Sequence, residues 1–283
     1  IGFGASGRNG GQLIPGLRWS LSEIEAAFGK ERASTLFDLC WKGPSRVHDR
    51  IARHGIACDL KAGHLEAAWT AADFDTMQRE AEFLDKNYGY KTEIVSKSDL
   101  SSHINSPLYH GGIYDPNGGH FHPLNYAMGL ADAAERAGVR LFAQSRVTEA
   151  KEEGTHIRLS TPGGVVRANH ALLATDAWMQ DISPQTGRFT VPIMNYNIAT
   201  APLSDAGALL PSDAAVADSR FVLNYFRLSA DGRMLFGGGE KYTQTPPADV
   251  AGFVRKHMVE VFPSLKDAPI DYAWGGAVAV TMN

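Results

Sequence analysis

Helical and strand periodicities alternate along the first two thirds of the chain. Residues 71–88 place apolar side chains on one stripe of a helix: Phe74, Met77, Ala81, Leu84 and Tyr88. A second helix is predicted from Pro123 to Gly138, since proline favours a first helical position and glycine a helix end. Two earlier helices are predicted over 20–29 and 30–54, the latter broken at Gly43-Pro44.

Short apolar segments between these helices predict strands. They cover residues 61–69, 139–143, 146–150, 156–160 and 170–175. The sequence DPNGGH at 115–120 is rich in turn-forming residues and predicts a turn. This alternation of helices and strands is typical of a mixed α/β protein.

The last third of the chain has a different pattern. Apolar and polar positions alternate with period two over residues 189–200, 220–229 and 233–238. Asp231-Gly232 lies between two of these segments and indicates a hairpin. Residues 249–262 have helical periodicity. This part of the chain is therefore predicted to be an antiparallel sheet with one helix on it.

Composition and charge limit the class of protein. The chain has 283 residues, 44% hydrophobic and 20% charged, with a formal net charge of −4. This balance supports an apolar core and offers no basic face for nucleic acid. No apolar run approaches the roughly 18 residues that a membrane span needs. Cys40 and Cys58 are too few for a disulfide framework, which favours a cytoplasmic location.

The chain opens with IGFGASGRNGGQL, which contains a literal G-x-G-x-x-G from Gly2 to Gly7. A dinucleotide-binding turn of this spacing needs a strand before it and a helix after it. No strand can be read before Gly2, and loop-forming residues follow Gly7, so an NAD-binding module is disfavoured. Either the segment is an anion-binding loop, with glycine N–H groups and Arg8 as donors, or it is a plain surface loop.

Two other clusters have more than one explanation. His120 and His122 form H-x-H, but no third metal ligand is suitably spaced, so a helix-entry turn is favoured over a metal site. The glycines 237–239 follow a strand. Because Glu240 comes next and would repel phosphate, a bulge or close backbone approach is favoured there.

Arg227 shares one face of a predicted strand with Tyr225. A buried arginine needs a partner. For Arg227 this partner is either a substrate carboxylate or a protein acid such as Asp218.

An ordered set of segments resembles a known family. The segments are IGFGASGRNGGQL, GGHFHPLNYAMGLADAAERAGVRLF, RVTEA, ALLATDAW, NYFRLSADGRMLFGGG and DYAWGGAVAVT. In this order they resemble the FAD-dependent amine and amino-acid oxidoreductases of the D-amino-acid-oxidase superfamily, and within it the γ-glutamylputrescine oxidoreductases. The resemblance covers essentially the whole chain.

The resemblance implies an α/β fold with two domains. Residues 1–55 and 120–185 would form part of a Rossmann-like FAD-binding domain, and 56–119 and 186–276 an antiparallel substrate domain. Residues 277–283 would return toward the FAD domain. Family members have a strand–G-x-G-x-x-G–helix–strand unit before the position of Ile1 and a glycine-rich segment after that of Asn283. We therefore expect the sequence to be an internal part of a longer enzyme.

The resemblance also implies site residues. Those matching cofactor-binding positions are Ser6, Gly7, Arg8, Asn9, Gly10, Gly11, Gln12, Val147, Ala174 and Thr175. Thr175 is a departure, because the family commonly has glycine there. Substrate-facing candidates are His122, Tyr225, Arg227 and Trp274, and no metal ligand or acid–base residue is assigned.

The implied activity is oxidation of a C–N bond of an amine or amino acid to an imine, with dioxygen or another electron acceptor. Putrescine catabolism would be one setting. A glycine, sarcosine or D-amino-acid oxidase or dehydrogenase is the alternative within enzymes, and an arginine clamp for a carboxylate would favour it. The alternative that is not an enzyme is a non-catalytic fragment without bound flavin.

Overall fold

The computed structural model describes residues 1–243 and 245–281. Met282 and Asn283, the end of the predicted 277–283 return segment, lie outside the described residues. The strands are β1 Gln12–Leu13, β2 Lys61–Ala67, β3 Glu93–Ser96, β4 Gly111–His120, β5 Glu149–Glu153, β6 His156–Thr161, β7 Gly164–Ala168, β8 Thr190–Thr200, β9 Ala215–Asp218, β10 Tyr225–Leu228, β11 Met234–Lys241 and β12 Ile270–Thr281.

The α-helices lie before and between these strands. They are α1 Ala5–Arg8, α2 Leu21–Phe28, α3 Lys30–Cys40, α4 Gly43–His54, α5 Ala71–Tyr88, α6 Pro123–Arg136, α7 Met179–Ile182, α8 Pro184–Gly187, α9 Ala206–Leu209 and α10 Val250–Val261. The predicted helix over 71–88 is confirmed: Thr70 and Asp73 form its capping box, and Gly89 ends it in the left-handed region. The predicted break at Gly43-Pro44 is also confirmed, since α3 and α4 are separate helices.

A large mixed sheet joins most of the strands. Among the described residues it has nine, in the order β1-β4-β2-β9-β10-β11-β8-β12, with β3 also paired to β4. The neighbours are antiparallel except β2 and β9, which are parallel. The second sheet, β5-β6-β7, is antiparallel. The mixed α/β fold class is confirmed. The domain boundaries stay a prediction.

The two faces of the large sheet differ in chemistry. On one face, Phe226 stacks on Phe236 with ring centroids 5.3 Å apart and meets Phe262 edge-on at 5.2 Å. Helix α10 buries Val254 and Met258 against this face. Because side chains alternate along a strand, the neighbours of these core residues point to the other face. That face carries the polar side chains Asn195, Asn197, Tyr225 and Arg227.

The hairpin at Asp231-Gly232 is confirmed, because β10 and β11 pair antiparallel around it. The bulge predicted at 237–239 is confirmed too: the register of β11 against β8 shifts between Gly237 and Glu240. The predicted strand over 220–229 is shorter in the structure, since β10 covers only Tyr225–Leu228.

The turn predicted at 115–120 is wrong, because these residues belong to β4. Its turn chemistry is present inside the strand: Asp115 Oδ1 accepts a hydrogen bond from the Asn117 N–H at 2.9 Å. The register against β2 shifts between Ala62 and His64, so the extra residues are absorbed in a bulge.

Two predicted strands are absent. Residues 139–143 and 170–175 form no ladder with any described strand, and Phe142 and Leu172 are exposed. A strand requires a neighbour for its backbone groups, and an apolar run does not supply one. The strand predicted at 146–150 begins only at Glu149. No helix among the described residues combines the length and apolar character that crossing a bilayer requires.

Candidate functional site

The opening segment forms one helical turn, α1, followed by a loop from Asn9 to Gln12. The literal G-x-G-x-x-G from Gly2 to Gly7 is followed by this loop and not by the long helix that a dinucleotide-binding turn needs. Its spacing has a local cause: a Cβ at Gly7 would lie 2.1 Å from the carbonyl oxygen of Gly2. Glycine therefore allows the turn to close on itself. The Asn9 side chain completes the turn by donating to the Ala5 carbonyl at 2.9 Å.

Three side chains attach this loop to the polar face of the large sheet. Trp274 Nε1 donates to the Arg8 carbonyl at 2.8 Å, and Arg227 Nε donates to the Gly10 carbonyl at 2.6 Å. Gln12 Nε2 donates to the Val216 carbonyl at 2.8 Å. The loop is thus held in place by residues more than 200 positions away in the sequence.

Two glycines let the loop approach the sheet closely. A Cβ at Gly10 would lie 2.5 Å from the ring of Tyr225. Gly11 has φ +76°, and a Cβ there would lie 2.0 Å from the Phe121 carbonyl oxygen. A side chain at either position would push the loop away from the strands.

The first of four cavities around the loop is the Tyr225 cleft, of about 360 Å³. Its lining includes Arg8, Asn9, Gly10, Gly11, Gln12, Ile14, Asn195, Asn197, Tyr225, Glu240, Gly276, Val278 and Val280. The Tyr225 hydroxyl donates to Asn195 Oδ1, and burial raises the pKa of this phenol above its usual range. Gln12 Oε1 is buried and has no partner among the described residues. The cleft therefore offers polar groups from both the loop and the sheet.

Two smaller clefts adjoin the Tyr225 cleft, one after the other. The Gly276 cleft, about 260 Å³, shares Arg8 and Gly276 with the Tyr225 cleft. The Val147 cleft, about 340 Å³, contains Val147 and Thr175 and shares Phe3 and Trp178 with the Gly276 cleft. Because neighbouring clefts share lining residues, the three clefts connect Val147 and Thr175 to the 8–12 loop. Ser6 and Ala174, also predicted to contact the cofactor, are exposed and line none of these clefts.

The fourth cavity, the Arg227 cavity, has a volume of about 700 Å³. Three predicted substrate residues line it, namely His122, Arg227 and Trp274, while Tyr225 lines the Tyr225 cleft. The structure therefore divides the predicted substrate residues between two cavities. Asn9 lines both, so the loop lies between them.

Asp218 is not the partner of Arg227, so that suggested alternative is wrong. Asp218 Oδ2 lies 3.0 Å from Arg220 Nε, and its Oδ1 accepts from the Asn224 N–H at 2.9 Å. Burial is the main influence on Asp218 and raises its pKa, against the effect of Arg220. A carboxyl group already held by these partners is not available to Arg227.

The two histidines of the H-x-H have separate structural roles. His120 is buried, and its Nε2 lies 2.8 Å from the Asp213 carbonyl oxygen. His122 caps α6, its Nδ1 accepting from the Asn125 N–H at 3.3 Å. Over residues 1–243 and 245–281 no group of three or more His, Cys, Asp or Glu side chains is arranged to hold a metal ion.

Several lining residues were not predicted from the sequence. Asn195, Asn197 and Glu240 line the Tyr225 cleft, and Asp59 and Asp213 line the Arg227 cavity. A signal for the asparagines exists, because two polar residues at alternate positions interrupt an otherwise apolar strand in MNYNIAT. Asp59 and Asp213 come from distant loops and have no such signal.

Known proteins match this chain over its full length. The profile of the family described as FAD dependent oxidoreductase (DAO) matches residues 1–283. A probable oxidoreductase OrdL of Haemophilus influenzae is 35% identical over 100% of this chain and 66% of its own length. The γ-glutamylputrescine oxidoreductase of Escherichia coli is 34% identical over 100% of this chain and 67% of its own length. The chain thus spans about two thirds of the curated relatives it matches.

A solved structure has the same fold. Glycine oxidase from Geobacillus kaustophilus superposes with a TM-score of 0.78, covering 99% of this chain and 74% of that protein. The sequence identity is 20%, so this likeness concerns the fold alone. Together with the full-length family match, these findings confirm the resemblance seen in the sequence: the chain belongs to the DAO family of FAD-dependent oxidoreductases.

Proposed function

We propose that this chain forms the flavin and substrate region of an oxidoreductase that oxidises a C–N bond of an amine. The series of three adjoining clefts is the observation that carries the proposal. An elongated dinucleotide could extend from the Val147 cleft to the Tyr225 cleft, with Arg8 and the 8–12 loop alongside. Gln12 Oε1, buried without a partner, and the side-chain-free surface of Gly10 and Gly276 are compatible with a flat polar ring there.

FAD, when bound, would accept a hydride from the carbon next to nitrogen, and the resulting imine would be hydrolysed by water. The chain itself supplies orientation. The raised pKa of Tyr225 keeps its hydroxyl protonated, and this hydroxyl donates to Asn195, so the phenol oxygen can accept a hydrogen bond from a substrate amine. Glu240 brings a carboxylate to the same cleft, which favours a cationic ligand.

The lining of the Tyr225 cleft favours an amine over an α-amino acid. Among its described lining residues Arg8 is the only lysine or arginine, and Ile14, Val278 and Val280 are apolar. Because we assign Arg8 to the reduced flavin, a carboxylate attached to the reacting carbon would have no cation of its own in this cleft. A γ-glutamylputrescine-like amine, as in putrescine breakdown, carries its carboxylate far from the reacting carbon.

The alternative of a glycine, sarcosine or D-amino-acid oxidase has less support. Arg227 is its one named carboxylate clamp, and this side chain lines the Arg227 cavity with its Nε bound to Gly10. The roles of His122, Tyr225, Arg227 and Trp274 toward substrate stay predictions.

Flavin content and substrate-driven flavin reduction of the full-length protein test the proposal. We expect the purified protein to carry flavin and γ-glutamylputrescine to reduce it without oxygen faster than glycine, sarcosine or D-alanine. Faster reduction by glycine or sarcosine would favour the α-amino-acid alternative. A colourless preparation that does not bind added FAD would favour a non-catalytic protein. Reoxidation by dioxygen or an added quinone then identifies the acceptor.

Replacing Arg8 with alanine should slow flavin reduction about tenfold, a loss of about 1.4 kcal/mol. We infer that Arg8 stabilises the negative charge that reduced flavin gains, because a fixed donor near developing charge lowers the barrier. Arg8 lines the Tyr225 cleft, and no carboxylate of the described residues lies within salt-bridge distance of it. Rapid-mixing absorbance measures the rate, and flavin affinity is measured in parallel.

The matched control is Arg18→Ala. The Arg8 guanidinium lies over the Phe3 ring, and that of Arg18 lies over the Phe221 ring in the same way, but Arg18 lines none of the clefts. Equal reduction rates in the Arg8 variant and the wild type would exclude the role of Arg8.

A further inference from the structure

The Arg227 cavity has features of a binding site that the proposed oxidation does not use. The loop formed by Gly7 and Asn9 lines one side of it and the strand residues Ala199, Leu235 and Tyr272 line another. The cavity is about twice the volume of the Tyr225 cleft, at about 700 Å³ against about 360 Å³. It is therefore large enough for a small metabolite.

Arg227 is a buried cation without a paired anion. Its side chain is 4% exposed. Nε donates to the Gly10 carbonyl at 2.6 Å and Nη1 to the Leu228 carbonyl at 3.1 Å. Nη2 makes no hydrogen bond to any described residue, and no described carboxylate lies within 4.0 Å of the guanidinium. A buried charge with unused donors is costly unless an anion joins it.

Burial lowers the pKa of Arg227 to about 10, while the more distant Asp59 and Asp213 act in the opposite direction. The guanidinium therefore remains charged at neutral pH. His120 is a second buried polar group in the same wall: it is 2% exposed, and its Nδ1 has no partner among the described residues.

The acids around the cavity restrict the anion. Asp213 is paired with Lys61 at 3.1 Å, and Asp231 with Arg233 at 2.6 Å. Asp59 lines the cavity and has no salt bridge or side-chain hydrogen bond within residues 1–243 and 245–281. Lys61 and Arg233 also line the cavity, so its three carboxylates are balanced by three cations and a doubly charged phosphate gains no net attraction. A single carboxylate carrying an ammonium group would instead meet the two unpaired groups, Arg227 and Asp59, together.

We propose that the Arg227 cavity binds the ammonium–carboxylate pair of an α-amino-acid group, with the carboxylate on Arg227 Nη2 and the ammonium on Asp59. The group belongs either to a free amino acid or to the amino-acid end of a longer molecule. The site lies on the other side of the 8–12 loop from the Tyr225 cleft. It therefore goes beyond the proposed oxidation, and binding measurements alone test it.

Calorimetry on the full-length flavoprotein under nitrogen tests the site with three probes: L-alanine, propionate and ethylamine. Alanine should bind at least about tenfold more tightly than either single-charge probe, as one charge-assisted hydrogen bond is worth about that factor. Equal affinities for the three probes, or no binding of alanine, would overturn the proposal.

Variants separate the two contacts. Asp59→Asn should weaken alanine about tenfold and leave propionate unchanged, since only the ammonium partner is lost. Arg227→Lys should weaken both alanine and propionate. Because Arg227 also holds the loop, Asp59→Asn is the decisive variant, and Asp267→Asn, an exposed acid outside the cavity, is its control. Unchanged alanine affinity in Asp59→Asn would contradict the assignment, even if the enzyme oxidises amines normally.

Competition distinguishes the two sources of the group. If γ-glutamylputrescine displaces alanine while putrescine does not, the cavity holds the amino-acid end of a longer molecule. If neither displaces alanine, the cavity holds a free amino acid. Displacement of alanine by putrescine as effectively as by γ-glutamylputrescine would contradict an amino-acid site.

Discussion

Replacing Gly11 with alanine should lower the free energy of unfolding by about 3 kcal/mol and release flavin from the full-length protein. Gly11 has φ +76°, where a Cβ costs about 1–2 kcal/mol. The new Cβ would also lie 2.0 Å from the Phe121 carbonyl oxygen, which is backbone and has little room to shift. Forcing extra atoms into a packed site adds about 1–3 kcal/mol.

The same contact explains why the cofactor should be affected. The Phe121 N–H donates to the Gly11 carbonyl at 2.8 Å, so a displaced Gly11 loses this bond and moves the 8–12 loop. Urea unfolding gives the stability change, and flavin absorbance per protein gives the occupancy.

Gly55→Ala is the matched control for Gly11→Ala. Gly55 also has a positive φ, +62°, in the left-handed region, but a Cβ there meets nothing within 4 Å. It should therefore cost only about 1 kcal/mol and leave flavin content unchanged. If Gly11→Ala is destabilised yet retains full flavin content, the loop does not contribute to holding the cofactor.

The second large effect concerns pH. His64 is 4% exposed, and burial lowers its pKa from 6.5 to about 4. Between these values the unfolded chain binds a proton that the folded protein does not, so stability falls as pH decreases from 6.5 to about 4. At about 1.4 kcal/mol for each tenfold change in proton affinity, the loss from this residue reaches about 3 kcal/mol.

His64→Leu isolates this contribution. His64 Nε2 has no hydrogen-bond partner among the described residues. Leucine therefore removes the titrating group without leaving another polar group unpaired. Urea unfolding from pH 7 to pH 4 should show that the free energy of unfolding depends less on pH in the variant. The difference in pH dependence between variant and wild type should appear below pH 6.5. His156→Leu, at an exposed position on β6, should retain the wild-type curve. Parallel curves for wild type and His64→Leu would contradict the prediction.

Elements with local signals were predictable. The capping box at Thr70 and the glycine at 89 define α5, and Asp231-Gly232 defines the hairpin, because each depends on residues within a few positions. The apolar segments 139–143 and 170–175 were wrongly predicted to be strands, because strand pairing depends on a neighbour elsewhere in the chain. The segment 115–120 carried true turn chemistry, but its place inside β4 depended on pairing with β2.

The candidate site was predictable in part for the same reason. The resemblance to the family predicted cofactor contacts for the 8–12 loop, Val147 and Thr175, and these residues line connected clefts. Asn195 and Asn197 were missed, since a strand pattern does not say which face becomes a cavity wall.

Sequence alone determined the family, the mixed α/β class, the helix ends and the glycine-rich opening loop. Only the tertiary structure decided what that loop touches. Its backbone carbonyls accept hydrogen bonds from the side chains of Arg227 and Trp274. Its glycines pack against Tyr225 and Phe121. It also separates Tyr225 from Arg227, two positions apart on one strand face, into different cavities. The reason is physical: local propensity depends on nearby residues, whereas close approach, burial and cavity shape arise from contacts between distant segments.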